Sequence, residues 1–98
     1  MSETSKQKKI ALVSGANRGI GLAIAIGLAQ QGVTVLMGTR NLKNGEAACA
    51  QHGQEGLDIR PVELDTTDDA SVWAVASLLE REYGRLDILV NNAGIGLD

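Results

Sequence analysis

Ile10-Ala11-Leu12-Val13-Ser14-Gly15-Ala16-Asn17-Arg18-Gly19-Ile20-Gly21 sets the architecture of this chain. Four apolar residues in a row read as a buried strand, Ile10 to Val13. Three glycines follow at 15, 19 and 21. A helix apolar almost all round then runs from Asn17 to Gln31, with Ile20, Leu22, Ile24, Ile26 and Leu28 interleaved with alanines at 23, 25 and 29. Gly32 is its natural stop, in the left-handed cap position. A glycine-rich turn between a buried strand and an apolar helix has a physical use. Backbone can approach a ligand without Cβ atoms in the way. The free N–H groups and positive dipole end of the helix then face that ligand and favour an anion. A turn kept only for close packing of helix on strand is the plainer alternative.

Working outward, apolar runs and helix-period stretches alternate. Val33 to Met37 is a second strand, and Asn41 caps a weaker helix reaching about His52. Leu57 to Leu64 is a third strand. Pro61 within it argues for a sheet edge, because proline cannot donate to the ladder. Thr67 or Asp68 caps a third helix with Val72, Val75, Ala76, Leu79 and Tyr83 on one stripe. Leu86 to Val90 is a fourth strand. The β-α-β-α-β-α-β order with short loops predicts an α/β fold, a doubly wound parallel sheet with helices on both faces. Apolar runs at strands one, two and four predict that both faces of each are covered. Strand order 3-2-1-4 follows if the proline strand is an edge and the chain reverses beside strand one. That reversal is a topological switch point, where such sheets bind ligands.

The 98 residues allow one domain at most, 44% hydrophobic and 21% charged. Disorder is excluded as the default, since apolar content is high and the net charge is only −3. No apolar run approaches the roughly 18 residues of a membrane span. No secretory signal is read in Met1 to Lys9, and the expected location is cytoplasmic. One cysteine, Cys49, excludes an internal disulfide and a multi-cysteine zinc site. With only Trp73 and Tyr83 as aromatics, a base-stacking platform for nucleic acid is not expected. Charge is uneven. Residues 4–45 hold six bases and no acid, whereas residues 46–98 hold eleven acids against three arginines. The basic half is too weak for a nucleic-acid footprint and suits a small anionic ligand.

The glycine spacing is G-x-x-x-G-x-G. It is not the strict dinucleotide spacing, which would need glycine at 24, where Ile24 stands. Ser14-Gly15-x-x-x-Gly19-Ile20-Gly21 resembles the cofactor loop of the short-chain dehydrogenase/reductase family, with Ser for that family's Thr. Asn91-Asn92-Ala93-Gly94 is similar to its N-N-A-G motif, and Leu64-Asp65-Thr66 to its acidic segment beside the adenine. The three fall in order at strand ends and cover essentially residues 8–96. The resemblance implies a Rossmann-type fold and an oxidoreductase moving hydride between a nicotinamide cofactor and a carbonyl or alcohol. It implies cofactor contacts from Gly15, Asn17, Arg18, Gly19, Ile20, Gly21, Arg40, Asp65, Thr66, Asn91, Ala93 and Gly94.

An NAD site places an acid about 20 residues past the first glycine, on the ribose 2′-OH. Here Thr39-Arg40-Asn41 stands in that place, and no acid follows until Glu46. A guanidinium can fork onto a 2′-phosphate that a carboxylate would repel. Arg18 can approach from the other side. NADP(H) is therefore expected over NAD(H), with two solvated surface arginines as the alternative. Asp65 reads either as a partner of the adenine amino group or as a turn acid before Thr66 and Thr67. Asn91 reads as a bond to neighbouring strand backbone, with Ala93 and Gly94 lying against the cofactor, or as part of an Asn-rich turn.

The family's chemistry uses a Ser, a Tyr and a Lys in Y-x-x-x-K order. Tyr83 is followed four residues on by Asp87, and no lysine follows Lys43. No catalytic residue is therefore expected here, and neither is a metal site. Residues 1–8 read as a polar tail. Residues 9–98 read as the first half of a dinucleotide-binding domain, cut after the fourth strand. Homo-oligomerisation, or pairing through the uncovered strand-four edge, is the expected association. A non-catalytic, self-associating module is the other reading. A methyltransferase is a third, which Arg40 and the Asn-Asn-Ala-Gly segment argue against. His52 reads as an exposed helix-end residue, Cys49 as buried packing, and Trp73 as either packing or interface.

Overall fold

The computed structural model describes residues 8–16, 19–53 and 55–92. Its elements, in chain order, are β1 (Ile10–Ser14), α1 (Gly19–Gln30), β2 (Thr34–Thr39), α2 (Leu42–Gly53), β3 (Ile59–Glu63), α3 (Asp69–Glu82) and β4 (Ile88–Val90). The four strands form one parallel sheet in the order β3-β2-β1-β4. This is a partial Rossmann α/β fold with the strand order read from Pro61 and the chain reversal. Of the expected tail over residues 1–8, all but Lys8 lies outside the described residues.

Side-chain alternation divides the core into two layers. Ala11, Val13, Val35, Met37 and Ile59 point to one face, packed by Ala25 and Ala29 of α1 and Cys49 of α2. Ile10, Leu12 and Leu36 point to the other, with Leu64 and with Val75 and Leu79 of α3. β1 and β2 are buried along their whole length, so neither has a solvent face. Pro61 sits opposite Met37 on the edge strand β3, where its missing N–H disrupts no inner ladder.

α1 approaches the sheet through its smallest residues. Gly21, Ala25 and Ala29 are buried at four-residue spacing, and the larger Leu22, Ile24, Ile26 and Leu28 flank them half-buried. Gly32, at φ +88°, ends the helix as expected: the N–H of Val33 donates to the Leu28 carbonyl at 3.2 Å.

Several local expectations change. β2 runs on to Thr39, because it is sandwiched between β1 and β3 and bonds to both. β3 begins only at Ile59; Asp58 just before it holds β2 through both its carbonyl, which accepts from the Val35 N–H at 2.9 Å, and its carboxylate, which accepts from Thr34 Oγ1 at 2.9 Å. β4 contracts to the three residues opposite Ala11, Leu12 and Val13. Its expected double coverage is not seen: Leu89 is 63% exposed. Leu89 is in register with Leu12 and shares its face, but lies outside the cluster that α3 covers. On α3, Val75 and Leu79 are buried, whereas Val72 (42% exposed) and Ala76 face solvent. The narrower stripe reflects a helix touching the sheet along one line. Asp68 is its cap, accepting from the Ala70 N–H at 3.0 Å. The His52 side chain is only 16% exposed, with Nδ1 3.6 Å from the Glu55 carboxylate, so it is not the solvent-facing residue expected. Trp73 is largely exposed.

Candidate functional site

The C-terminal ends of the strands carry the turns singled out in the sequence. β1 ends at Ser14, and Gly15 (φ +60°) turns the chain away from the sheet. Gly19 (φ +63°) opens α1 in the left-handed region, where a side chain is strained. A Cβ there would meet nothing within 4 Å, so the backbone faces open space. Gly21 has the opposite reason to be glycine. A Cβ would collide with the Gly15 carbonyl and lie 2.7 Å from Asn92 Nδ2. The helix is thus pressed onto the turn at one glycine and left bare at another.

Hydrogen bonds from Ser14, Asn92 and Ala16 hold this turn. The buried Ser14 hydroxyl lies 3.2 Å from Asn91 Oδ1 and 3.4 Å from the Val90 carbonyl. Asn92 Nδ2 donates to the Gly15 carbonyl at 3.1 Å. The Ala16 N–H donates to the Gly38 carbonyl of β2 at 3.1 Å. Asn91, expected to bond strand backbone, instead accepts from a side chain. It is Asn92, not among the residues predicted, that grips neighbouring backbone. Strand order held the clue: two amides directly after the strand beside β1 must flank the turn that leaves β1.

Arg40 follows the end of β2 and is exposed. Asp65 lies just past the end of the adjacent β3. Its Oδ1 accepts from Thr67 Oγ1 at 2.6 Å and from the Thr67 N–H at 2.9 Å. These bonds, and more weakly the Arg40 charge, hold the Asp65 carboxyl below the usual 3.8. The turn role of Asp65 is therefore occupied geometry. Thr66 beside it is exposed. Asn17, Arg18, Ala93 and Gly94 lie outside the described residues.

The residues fit a dinucleotide's diphosphate. The first amides of α1 have no intrahelical partner, its first turn holds no acid, and Gly19 leaves the approach open. The Tyr83 hydroxyl accepts from Arg60 at 2.7 Å, beside the start of β3 and hence at the opposite end of the sheet. Among the described residues no group of three or more His, Cys, Asp or Glu could hold a metal ion. No helix among them is long and apolar enough to cross a membrane.

The profile of the short chain dehydrogenase family matches residues 9–98. The chain belongs to the short chain dehydrogenase family. Short-chain dehydrogenase/reductase 1 of Saponaria officinalis is 45% identical over 97% of this chain and 33% of its own length. Carbonyl reductase (NADPH) 3 of Homo sapiens is 46% identical over 93% of this chain and 33% of its own length. The solved menthone neomenthol reductase from Mentha piperita superposes with a TM-score of 0.78 at 41% identity, covering 88% of this chain and 31% of that one. This short chain dehydrogenase sequence spans about a third of the length of the curated relatives it matches.

Proposed function

We propose that this chain supplies the NADP(H)-binding portion of an oxidoreductase acting on a small carbonyl or alcohol in the cytoplasm. Residues 9–98 form the first half of its dinucleotide-binding domain. The nicotinamide, when bound, supplies or accepts the hydride. The chain's own residues bind and orient. The α1 amides and the bare backbone at Gly15, Gly19 and Ile20 receive the diphosphate, joined by Asn17. Gly21 allows α1 to pack close behind them. Arg40 and Arg18 flank the 2′-phosphate, while Asp65 and Thr66 border the adenine. Asn91, Ala93 and Gly94 line the cofactor from the β4 side. No catalytic group is assigned among these residues.

One observation carries the NADP(H) assignment. An exposed arginine follows the end of β2, at the place in the sequence where an NAD site has its acid. A carbonyl reductase whose name specifies NADPH is among the similar proteins. A charge-assisted bond contributes roughly 1.5–3 kcal/mol. Arg40→Ala should therefore weaken NADPH binding by about ten- to a hundredfold and leave NADH nearly unchanged, read by fluorescence titration. An unaltered NADPH/NADH preference would remove this assignment.

A second reading rests on Leu89, exposed on the edge strand β4. It is a nucleotide-binding module without catalysis that pairs with a second copy through that edge. Light scattering across a concentration series tests it, and a persistent monomer rules it out.

A further inference from the structure

We infer that Asn92 is the positioning residue of the glycine turn, fixing the distance between the end of β1 and the start of α1. This rests on the cofactor reading above. The last paired residues of β1 and β4 are Val13 and Val90, so the bond from Asn92 Nδ2 to the Gly15 carbonyl lies beyond the sheet ladder. It joins two loops, not two strands. The amide is seated where Gly21 lacks a side chain: the 2.7 Å from a Cβ at 21 to Nδ2 is shorter than such contacts tolerate. Gly15 carbonyl, Asn92 amide and Gly21 Cα therefore form one contact triangle. One of its corners belongs to the turn and another to the first turn of α1, the two segments read as meeting the diphosphate. The third comes from the far side of the sheet reversal.

This gives the third glycine a second purpose. Gly21 admits the helix to the sheet, and it also makes room for the amide that locks the turn. Alanine at 92 is too short to reach the Gly15 carbonyl. Aspartate has the right length but carries no proton to donate at neutral pH. Both substitutions should loosen the turn, and aspartate should also repel the carbonyl it faces.

The test uses the 98-residue chain and two ligands. NADPH engages the diphosphate cradle, whereas adenosine 2′-phosphate carries the ribose phosphate without a diphosphate. Asn92→Ala and Asn92→Asp should weaken NADPH by about tenfold, the scale of one lost hydrogen bond. Adenosine 2′-phosphate should bind as before. In the ligand-free chain the Ala16 amide, bonded to Gly38, should exchange faster while the Leu12 amide does not. Gly21→Ala, which crowds the amide without removing it, should give the same split. Equal loss of both ligands would show a general effect on folding and overturn the assignment. Variants that bind NADPH like the wild type, with the wild type binding both ligands, would overturn it alone. A wild-type chain that binds neither ligand would overturn the cofactor reading and this assignment with it.

Discussion

Ser14 shows how little room a single buried hydroxyl has. Its one proton can go to Asn91 Oδ1 or to the Val90 carbonyl, at 3.2 and 3.4 Å. Ser14→Ala removes that donor and leaves acceptors facing an apolar methyl. The expected cost is about 1 kcal/mol, seen as a lower urea midpoint with an unchanged slope. Cys49 is the opposite kind of residue. Burial pushes its thiol up to about 11, and its sulfur lies 3.6 Å from Met37 Sδ in the core. At neutral pH it is protonated and shielded. Iodoacetamide should therefore modify the native chain very slowly and the urea-unfolded chain readily, as mass spectrometry would show. Rapid labelling of the native chain would mean that α2 leaves the sheet.

At the scale of elements, α1 carries the clearest lesson. Its sequence is apolar on nearly every side, so periodicity could not say which side meets the sheet. Packing chose the small stripe Gly21, Ala25 and Ala29, because small residues let the helix backbone approach the strands. Ala25→Leu should therefore overpack the layer above Val13 and Val35, at about 1–3 kcal/mol. Ala23→Leu, two residues away on the exposed side, should change stability by less than about 0.5 kcal/mol. Thermal unfolding of the pair checks this, and equal shifts would mean the helix is rotated. β4 illustrates the converse. Ile88-Leu89-Val90 reads as an interior strand, yet an apolar run only shows what a strand is suited to. Its coverage depends on which elements arrive beside it.

Across the whole molecule, aspartates tie together the starts of the parallel strands. Asp87 accepts from the Ile10 N–H at 2.8 Å and from Arg85 Nε at 3.0 Å, fastening β4 to β1. Arg85 also donates to the Lys8 carbonyl. Asp58 reaches Thr34, Arg60 and Lys8, linking the starts of β1, β2 and β3. The Ile10 bond, then the Arg85 bond and charge, hold the Asp87 carboxyl below the usual 3.8, although partial burial opposes them. For Asp58 burial pulls upward, but the Thr34 and Arg60 bonds and the Arg60 and Lys8 charges outweigh it. Asp65 is lowered as well. Carboxyls held low in the folded state favour folding above their unfolded value, and that contribution disappears as pH falls through the folded values. Stability should be level from pH 7 to about 5 and drop below about 4. Urea midpoints at pH 7, 4 and 3 measure it. Asp87→Asn should be less stable at pH 7 and show a shallower acid loss. An identical acid slope would show that Asp87 does not contribute.

The order of elements, the parallel sheet, the edge position of β3 and the glycine turn were all legible in the chain alone. Each is written in neighbouring residues: alternation of apolar runs, one proline, three glycines between a strand and a helix. Backbone geometry and local periodicity act over a few residues and leave marks at that range. Which amide grips the turn, which side of α1 is buried, how bare Leu89 stands and which aspartates staple the strands were decided by the fold. Those contacts join residues as many as 77 positions apart, so they come into being only when the sheet brings distant strand ends together.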